Sequence, residues 1–248
     1  MLRFFQDFFL KNNVKNCKYL VIPDIHGTYS VFKKVVEFIK SECEEDRVII
    51  FLGDYMDRGE SGEVYGKEFI DAGSFHTLKA LLDLDKWAKK ESRELHFLRG
   101  NHEIFFEDHF LKERTYAYDT YPFFKESVDV LEFAFKNDYT LFAKLEEFLE
   151  NLLPYYLDEE NGYLFVHAGV DFKIGTLENQ TKKGTIYWIR EKFFYGDEEL
   201  PFKVIFGHTP FNEVFIRENK IGLDSGIYNS GFINLLKIDG DNHKIIKL

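Results

Sequence analysis

The sequence predicts an α/β fold, and three observations carry that expectation. Five short apolar runs, rich in β-branched and aromatic residues, recur along the 248 residues, and continuous runs of this kind read as buried strands. Segments of helical spacing lie between the first three runs, which is the alternation that builds parallel sheets. Each run ends at a glycine-containing motif carrying ligand-type side chains, and in α/β folds such groups gather where strands end and loops begin.

The elements follow in order. A strand over 19–22 leads into Asp24-Ile25-His26-Gly27, and a helix over 31–39 follows, with Val31, Phe32, Val35, Val36 and Ile39 on its apolar face. A strand over 48–52 runs into Gly53-Asp54-Tyr55-Met56-Asp57-Arg58-Gly59, and a second helix is expected around 77–88. The run at 96–98 precedes Gly100-Asn101-His102-Glu103, that at 164–166 precedes His167-Ala168-Gly169, and that at 204–206 precedes Gly207-His208-Thr209. Between them, 103–154 has no motif, and its apolar spacing (Leu131, Phe135; Leu141, Leu145, Phe148, Leu149, Leu152) predicts a helical insertion or cap. The tail reads as strands over 213–216, 220–223, 232–238 and 243–248, with hairpin signals at Glu218-Asn219 and Asp239-Gly240-Asp241. With no repeat, low-complexity tract or linker, 1–248 is expected to form one domain.

Composition narrows the function classes. With 45% apolar residues the chain can bury a sizeable core. Its net charge of -11 argues against duplex nucleic acid and anionic membranes, both of which need a basic footprint. A phosphorylated substrate stays open, because bound cations and a few arginines invert the field locally. Cys17 and Cys43 lack disulfide-framework or metal-type spacing, so a reducing, cytoplasmic compartment is expected. Residues 1–10 are apolar but interrupted by Gln6 and Asp7, which suits an amphipathic helix better than a signal segment. No run reaches membrane-spanning length.

The motif residues form a complete metal-ligand set. Divalent transition metals take carboxylate, imidazole and neutral oxygen donors together. Asp24 and His26, at i and i+2 past a strand, can point to one side, and Asp54 could bridge to a second ion completed by Asn101, His167 and His208. Paired ions about 3.5–4 Å apart lower the pKa of a bridging water for in-line attack at phosphorus. Arg58 suits bidentate contact with phosphoryl oxygens, and Arg190 is the candidate for the opposite edge. His102, beside Asn101, is placed as general acid, with Asp57 to orient it. Asn101 can also face substrate. Glu103 is a candidate for orienting local backbone or ligands, and Arg99 for an internal ion pair. His76, His96, His109 and His243 stand outside the motifs and are expected to be structural or superficial.

These motifs resemble those of the PPP superfamily of metallophosphatases, in its bacterial branch of serine/threonine phosphatases and symmetrical diadenosine tetraphosphatases. The usual GDxHG, GDxxDRG, GNHE, HAG and GHTP appear here as Pro23 to Gly27, Gly53 to Gly59, Gly100 to Glu103, His167 to Gly169 and Gly207 to Pro210. Gly222-Leu223-Asp224-Ser225-Gly226 is similar to the family's IDTG strand, and Trp188 with Arg190 to its W-x-R motif. Pro23 departs from the leading glycine, and the eukaryotic SAPNY-type loop is absent, with Tyr228 in the corresponding region. The resemblance implies a metallophosphoesterase-type β-sandwich of two mixed sheets flanked by helices (α/β/β/α), and a dinuclear centre of manganese, iron or zinc. Calcineurin-like diesterases share much of the metal set but usually lack the arginine of DRG and end the third motif in Asp, so Arg58 and Glu103 favour the PPP branch.

Three functions are therefore weighed. The first is a metal-dependent phosphomonoesterase of serine/threonine protein phosphatase type, acting on a phosphorylated protein or small phosphoester. The second is a diadenosine tetraphosphatase or other nucleotide pyrophosphohydrolase, for which the aromatic 103–154 segment could stack adenine. The third is a non-catalytic phospho-binding module, disfavoured because no ligand residue is missing.

Overall fold

The computed structural model of the chain describes residues 17–114, 121, 124–197 and 199–248. The helix expected over 1–10 lies outside them.

The motif-bearing runs are strands. In chain order the elements begin with β1 (Lys18–Ile22), α1 (Tyr29–Ser41), β2 (Val48–Phe51), the small hairpin β3 (Gly62–Val64) and β4 (Lys67–Phe69), α2 (Ala72–Lys90) and β5 (Leu95–Phe97). The described residues of 103–154 form helices as expected, α3 (Asn101–Phe110), α4 (Phe124–Asn137) and α5 (Tyr139–Glu150). Then come β6 (Tyr155–Asp158), β7 (Tyr163–Val166), a short 3-10 turn, α6 (Leu177–Lys182), α7 (Thr185–Trp188), α8 (Glu191–Phe194) and β8 (Lys203–Phe206). The tail forms β9 (Phe215–Arg217), β10 (Lys220–Gly222), α9 (Ile227–Ser230), β11 (Asn234–Asp239) and β12 (Asn242–Lys247). Both predicted hairpin turns are present, although β9 starts two residues later than the apolar run beginning at Glu213 suggests. The β3–β4 hairpin, β6 and the helices between β7 and β8 are additions that periodicity did not expose, because each is only three to six residues long.

Two five-stranded mixed sheets result, in the orders β12-β11-β1-β2-β5 and β6-β7-β8-β10-β9. In the first, β1, β2 and β5 are parallel, and β11 and β12 add antiparallel. In the second, β7, β8 and β10 are parallel and β6 and β9 are antiparallel edges. Successive side chains of a strand face opposite ways, and the core divides accordingly. Tyr19, Val21, Ile50, Leu52, Phe165 and Ile205 pack between the sheets. Leu20, Ile22, Ile49 and Phe51 face the helices α1, α2, α4 and α5. Leu164, Val166, Val204 and Phe206 face the helical segments between β7 and β8. The apolar runs are continuous because both faces of each strand are covered, giving four layers, α/β/β/α. A buried arginine ties the first sheet: Arg47 Nη1 donates to the carbonyls of Tyr19 (3.1 Å) and Ile238 (2.7 Å), and its Nη2 lies 2.6 Å from Asp239 Oδ1.

The parallel strands β1, β2, β7 and β8 all end toward one edge of this sandwich, and their following loops carry Asp24, Asp54, His167 and His208 to a common point.

Candidate active site

The loops reach that point through unusual backbone. Of nine non-glycine residues with positive φ among those described, five are motif residues: His26 (46°), Asp54 (52°), Asp57 (75°), Arg58 (65°) and His208 (63°). Left-handed backbone is uncommon outside glycine and concentrates at functional sites; here it turns side chains inward just past the strand ends. Gly53 (φ 108°) permits a close approach of loops, since a Cβ there would stand 2.5 Å from the Gly100 nitrogen.

Asp54 is the hub. Its Oδ2 lies 3.5 Å from His26 Nε2, 3.5 Å from His167 Nε2 and 3.8 Å from His102 Nε2, while its Oδ1 accepts the backbone N–H of His102 at 3.0 Å. Two donor clusters share it: Asp54 with His167 and His208, and Asp54 with His26 and His102, every residue buried. Asn101 Oδ1 joins the first, 2.8 Å from His167 Nε2. The second cluster differs from the expected trio of Asp24, His26 and Asp54. Both Asp24 oxygens accept the backbone N–H of His208, at 3.0 and 3.1 Å, and Asp24 Oδ2 stands 4.0 Å from His26 Nε2, while His102 Nε2 stands 3.8 Å from Asp54 Oδ2.

The donor chemistry fits cations. His167 Nδ1 donates to the Leu52 carbonyl at 2.9 Å, so its Nε2 presents a lone pair toward Asn101 Oδ1 and Asp54 Oδ2. Those are acceptors aimed at one another. His26 Nδ1 and His208 Nε2 are buried with no hydrogen-bond partner among the described residues. Burial, then the neighbouring His102, pushes His26 down to about 3, and burial, then His167, pushes His208 down to about 2; burial also lowers His167. These rings are therefore neutral, as ligands must be. Burial, with Asp224 and then Asp54 close by, drives the Asp24 carboxyl well above its usual range. Asp224 itself, capped by the Gly226 N–H at 2.8 Å, is pushed up to about 6 by burial. Crowded buried carboxylates beside neutral imidazoles are what bound divalent ions would neutralise.

The remaining motif residues surround this centre. Glu103, fully buried, accepts the backbone N–H groups of Asp54 (2.8 Å), Tyr55 (2.9 Å) and Gly100 (2.9 Å), so it fixes the hub's loop to the start of α3. His102 Nδ1 lies 2.7 Å from Asp57 Oδ2. Against the pull of burial, Asp54 and then Asp57 hold the His102 ring protonated above the ordinary imidazole range. Burial opposes ionisation of Asp57, but His102 outweighs it and the net shift is downward. Arg58 sits at the mouth with its guanidinium 5.2 Å from the Tyr228 ring centroid, and Tyr228 meets His26 edge-on at 5.3 Å. Arg190 Nη1 donates to the His208 carbonyl (3.2 Å) and Thr209 Oγ1 (3.0 Å), which places it against the loop that carries His208. Arg99 pairs with Glu107 at 2.8 Å, away from the centre. His76, His96, His109 and His243 contact Glu63, Glu94, Glu132 and Tyr163 respectively, outside the site.

A fold of two mixed sheets carrying five buried ligand-type residues around a shared buried carboxylate, with Arg58 and Arg190 beside them, defines a metal-dependent phosphoester hydrolase. The chain matches the calcineurin-like phosphoesterase family over residues 17–236 and belongs to it. It is a metallophosphatase. Among solved structures it is similar to a mutant of a cold-active protein tyrosine phosphatase (16% identity, TM-score 0.59, covering 94% of this chain and 80% of that one). It is also similar to a serine/threonine phosphatase from Saccharomyces cerevisiae with similarity to human phosphatase PP5 (16%, 0.56, 96% and 81%). A third is a candidate diadenosine tetraphosphatase (15%, 0.55, 96% and 96%). At these identities the likeness is one of fold. Comparison with curated protein sequences gives no significant match. No helix among the described residues is long and apolar enough to cross a membrane.

Sequence reasoning left three residues of this neighbourhood without a role. Asp224 was noted only as part of a strand motif. Asp71, ahead of the helix expected around 77–88, was not singled out, and Ser127 sits in the 103–154 segment with nothing local to mark it.

Proposed function

We propose that this chain is a metal-dependent phosphomonoesterase of the PPP type, acting on phosphorylated serine or threonine in proteins. Its ligand set is Asp24, His26, Asp54, Asn101, His167 and His208, with manganese as the first metal to test and iron or zinc as alternatives. Bound divalent ions supply the activated water and neutralise phosphoryl charge. The chain's own residues do the rest. Arg58 and Arg190 hold opposite phosphoryl oxygens, and His102 donates its Nε2 proton to the departing alkoxide while Asp57 holds the ring at Nδ1. In the same reading 1–248 is one catalytic domain and 103–154 its cap.

The observation that carries this reading is the 2.7 Å pairing of His102 with Asp57 beside the shared carboxylate Asp54. A phosphomonoester of serine has a poor alkoxide leaving group, so a protonated imidazole held next to the metal ligands suits that bond. The cleft outside Arg58, about 680 Å³ and lined by Ile70, Tyr121, Glu126 and Tyr228 among others, leaves room for a peptide.

A second reading, dinucleotide hydrolysis, is favoured by one feature. Phe105, Tyr121 and Trp188 form an aromatic wall beside His102, with Tyr121 and Trp188 nearly parallel at 6.4 Å. Such a surface could stack adenine.

The test is a manganese-supplemented activity panel on a phosphoserine peptide, p-nitrophenyl phosphate, diadenosine tetraphosphate and bis-p-nitrophenyl phosphate. Turnover of the phosphopeptide is expected. Turnover confined to the dinucleotide would replace the first reading by the second, and metal binding without turnover on any substrate would leave a binding module.

A further inference from the structure

Behind His102, a serine and a second buried carboxylate close on Asp57. Ser127 lies on α4 and is fully buried, with its Oγ 2.8 Å from Asp57 Oδ1 and 2.5 Å from Asp71 Oδ2. Asp71, 2% exposed, precedes α2 as its N-cap, and its Oδ1 accepts the Ser74 N–H at 2.9 Å. Its Oδ2 also accepts the Ser74 hydroxyl at 2.8 Å, and that hydroxyl oxygen accepts the Asp57 N–H at 2.8 Å. Asp57 is thus held at its backbone by Ser74 and at its carboxylate by Ser127, and both hydroxyls rest on Asp71.

A proton count sharpens this arrangement. Ser127 carries one hydroxyl proton but stands between two carboxylates. Donating it to Asp57 leaves the 2.5 Å contact with Asp71 to be made by a proton on Asp71 itself. The electrostatics agree in direction: burial pushes Asp71 up to about 6, whereas His102 keeps Asp57 ionised. The resulting chain runs from Asp71 O–H to Ser127 Oγ, from Ser127 O–H to Asp57 Oδ1, and across the carboxylate to His102 Nδ1. Capping α2 does not require it, because a cap needs only the Oδ1 contact. Burying a second acid against Asp57 is costly unless it is neutral and bonded.

We infer that Ser127 and Asp71 are positioning residues for the reaction, locking the Asp57 carboxylate so that Oδ2 faces His102 and making the inserted helix α4 part of the general acid's support. This rests on the reading of His102 as general acid. Ser127 does not line the cleft outside Arg58, Asp71 reaches only its wall at 2% exposure, and both act through Asp57.

The test compares kcat and KM of the manganese-loaded full chain on phenyl phosphate, whose leaving group needs a proton, and p-nitrophenyl phosphate, whose leaving group hardly does. Ser127→Ala is expected to lower kcat on phenyl phosphate about tenfold, in keeping with the effect of outer hydrogen-bond partners. On p-nitrophenyl phosphate it should change little, with KM unmoved on both. Combined with His102→Ala it should add nothing further on phenyl phosphate. Asp71→Ala should repeat the pattern, and Asp71→Asn, which keeps the cap acceptor and an N–H donor toward Ser127, should restore activity. If Ser127→Ala does not fold, Ser127→Cys keeps the volume with a weak donor and should show a smaller loss of the same selectivity. Equal losses on both substrates, or none, with His102→Ala still selective, would overturn the positioning role alone. If His102→Ala itself loses equally on both, the general-acid reading fails and the positioning role falls with it.

Discussion

His102 Nδ1 lies 2.7 Å from Asp57 Oδ2, whereas the imidazole–carboxylate contacts of His26, His102 and His167 with Asp24 and Asp54 around the hub run from 3.5 to 4.0 Å. The ring is held at the nitrogen that faces away from Asp54. Its Nε2 is the one directed to the metal-ligand side.

That orientation predicts a selective loss on removing the ring. His102→Ala should slow hydrolysis of a phosphoserine peptide by about 10²–10⁴-fold, the usual worth of general acid catalysis. The loss should be much smaller on p-nitrophenyl phosphate. Steady-state kinetics on both substrates check this, and an equal loss on both contradicts the assignment.

Glu103 makes a different prediction. Its carboxylate accepts three backbone N–H groups, two of them at Oε2. Glu103→Gln replaces one acceptor by an NH₂ group that must face a backbone donor, so the Asp54 loop shifts. Manganese affinity should fall about 10–100-fold, as for other supports of metal ligands. Titration of the apoprotein with manganese followed by calorimetry reads this directly, and unchanged affinity contradicts it.

Metal removal should destabilise the chain. Asp24, Asp54 and Asp224 are buried together and share one another's repulsion. Ligands that bind only the folded state stabilise it by about 2.7 kcal/mol at a hundredfold excess over Kd. Thermal unfolding should therefore rise with added manganese and fall with a chelator, and His208→Ala should blunt the shift. A melting temperature indifferent to both additions would contradict the ligand set.

A pH prediction comes from outside the site. Glu44 is held down to about 2, first by Lys237 and then by Arg47. Because the folded value lies below the usual 4.5, this stabilisation is present above pH 4.5 and is lost as pH falls toward 2. The carboxylate is exposed enough for salt to weaken the effect. The stability gap between the parent chain and Glu44→Gln should narrow on acidification, as urea unfolding at several pH values would show. A gap independent of pH contradicts the pairing.

The strands and the candidate metal ligands were legible in the chain because their signals are local. Runs such as Val48 to Phe51 are apolar at every position since both faces are covered, and each candidate ligand stands within four residues of a strand end or at a helix start. Arg58, His102 and Glu103 were legible from the motifs as well. The order of strands in the two sheets was not, because it depends on pairings such as Lys18 with Asp239 across most of the chain.

Residue types and spacing by themselves determined the α/β class, the set of ligand-type side chains and the phosphoester chemistry they support. Only the tertiary structure decided that Asp24 turns both oxygens to His208 N–H, that Tyr228 stands against Arg58, and that Ser127 reaches Asp57 from 70 residues away. The reason is physical: a motif at a strand end is written in neighbouring residues. A buried contact between α4 and the loop after β2 exists only once both have packed on the same sheet face, and it leaves no period in the chain.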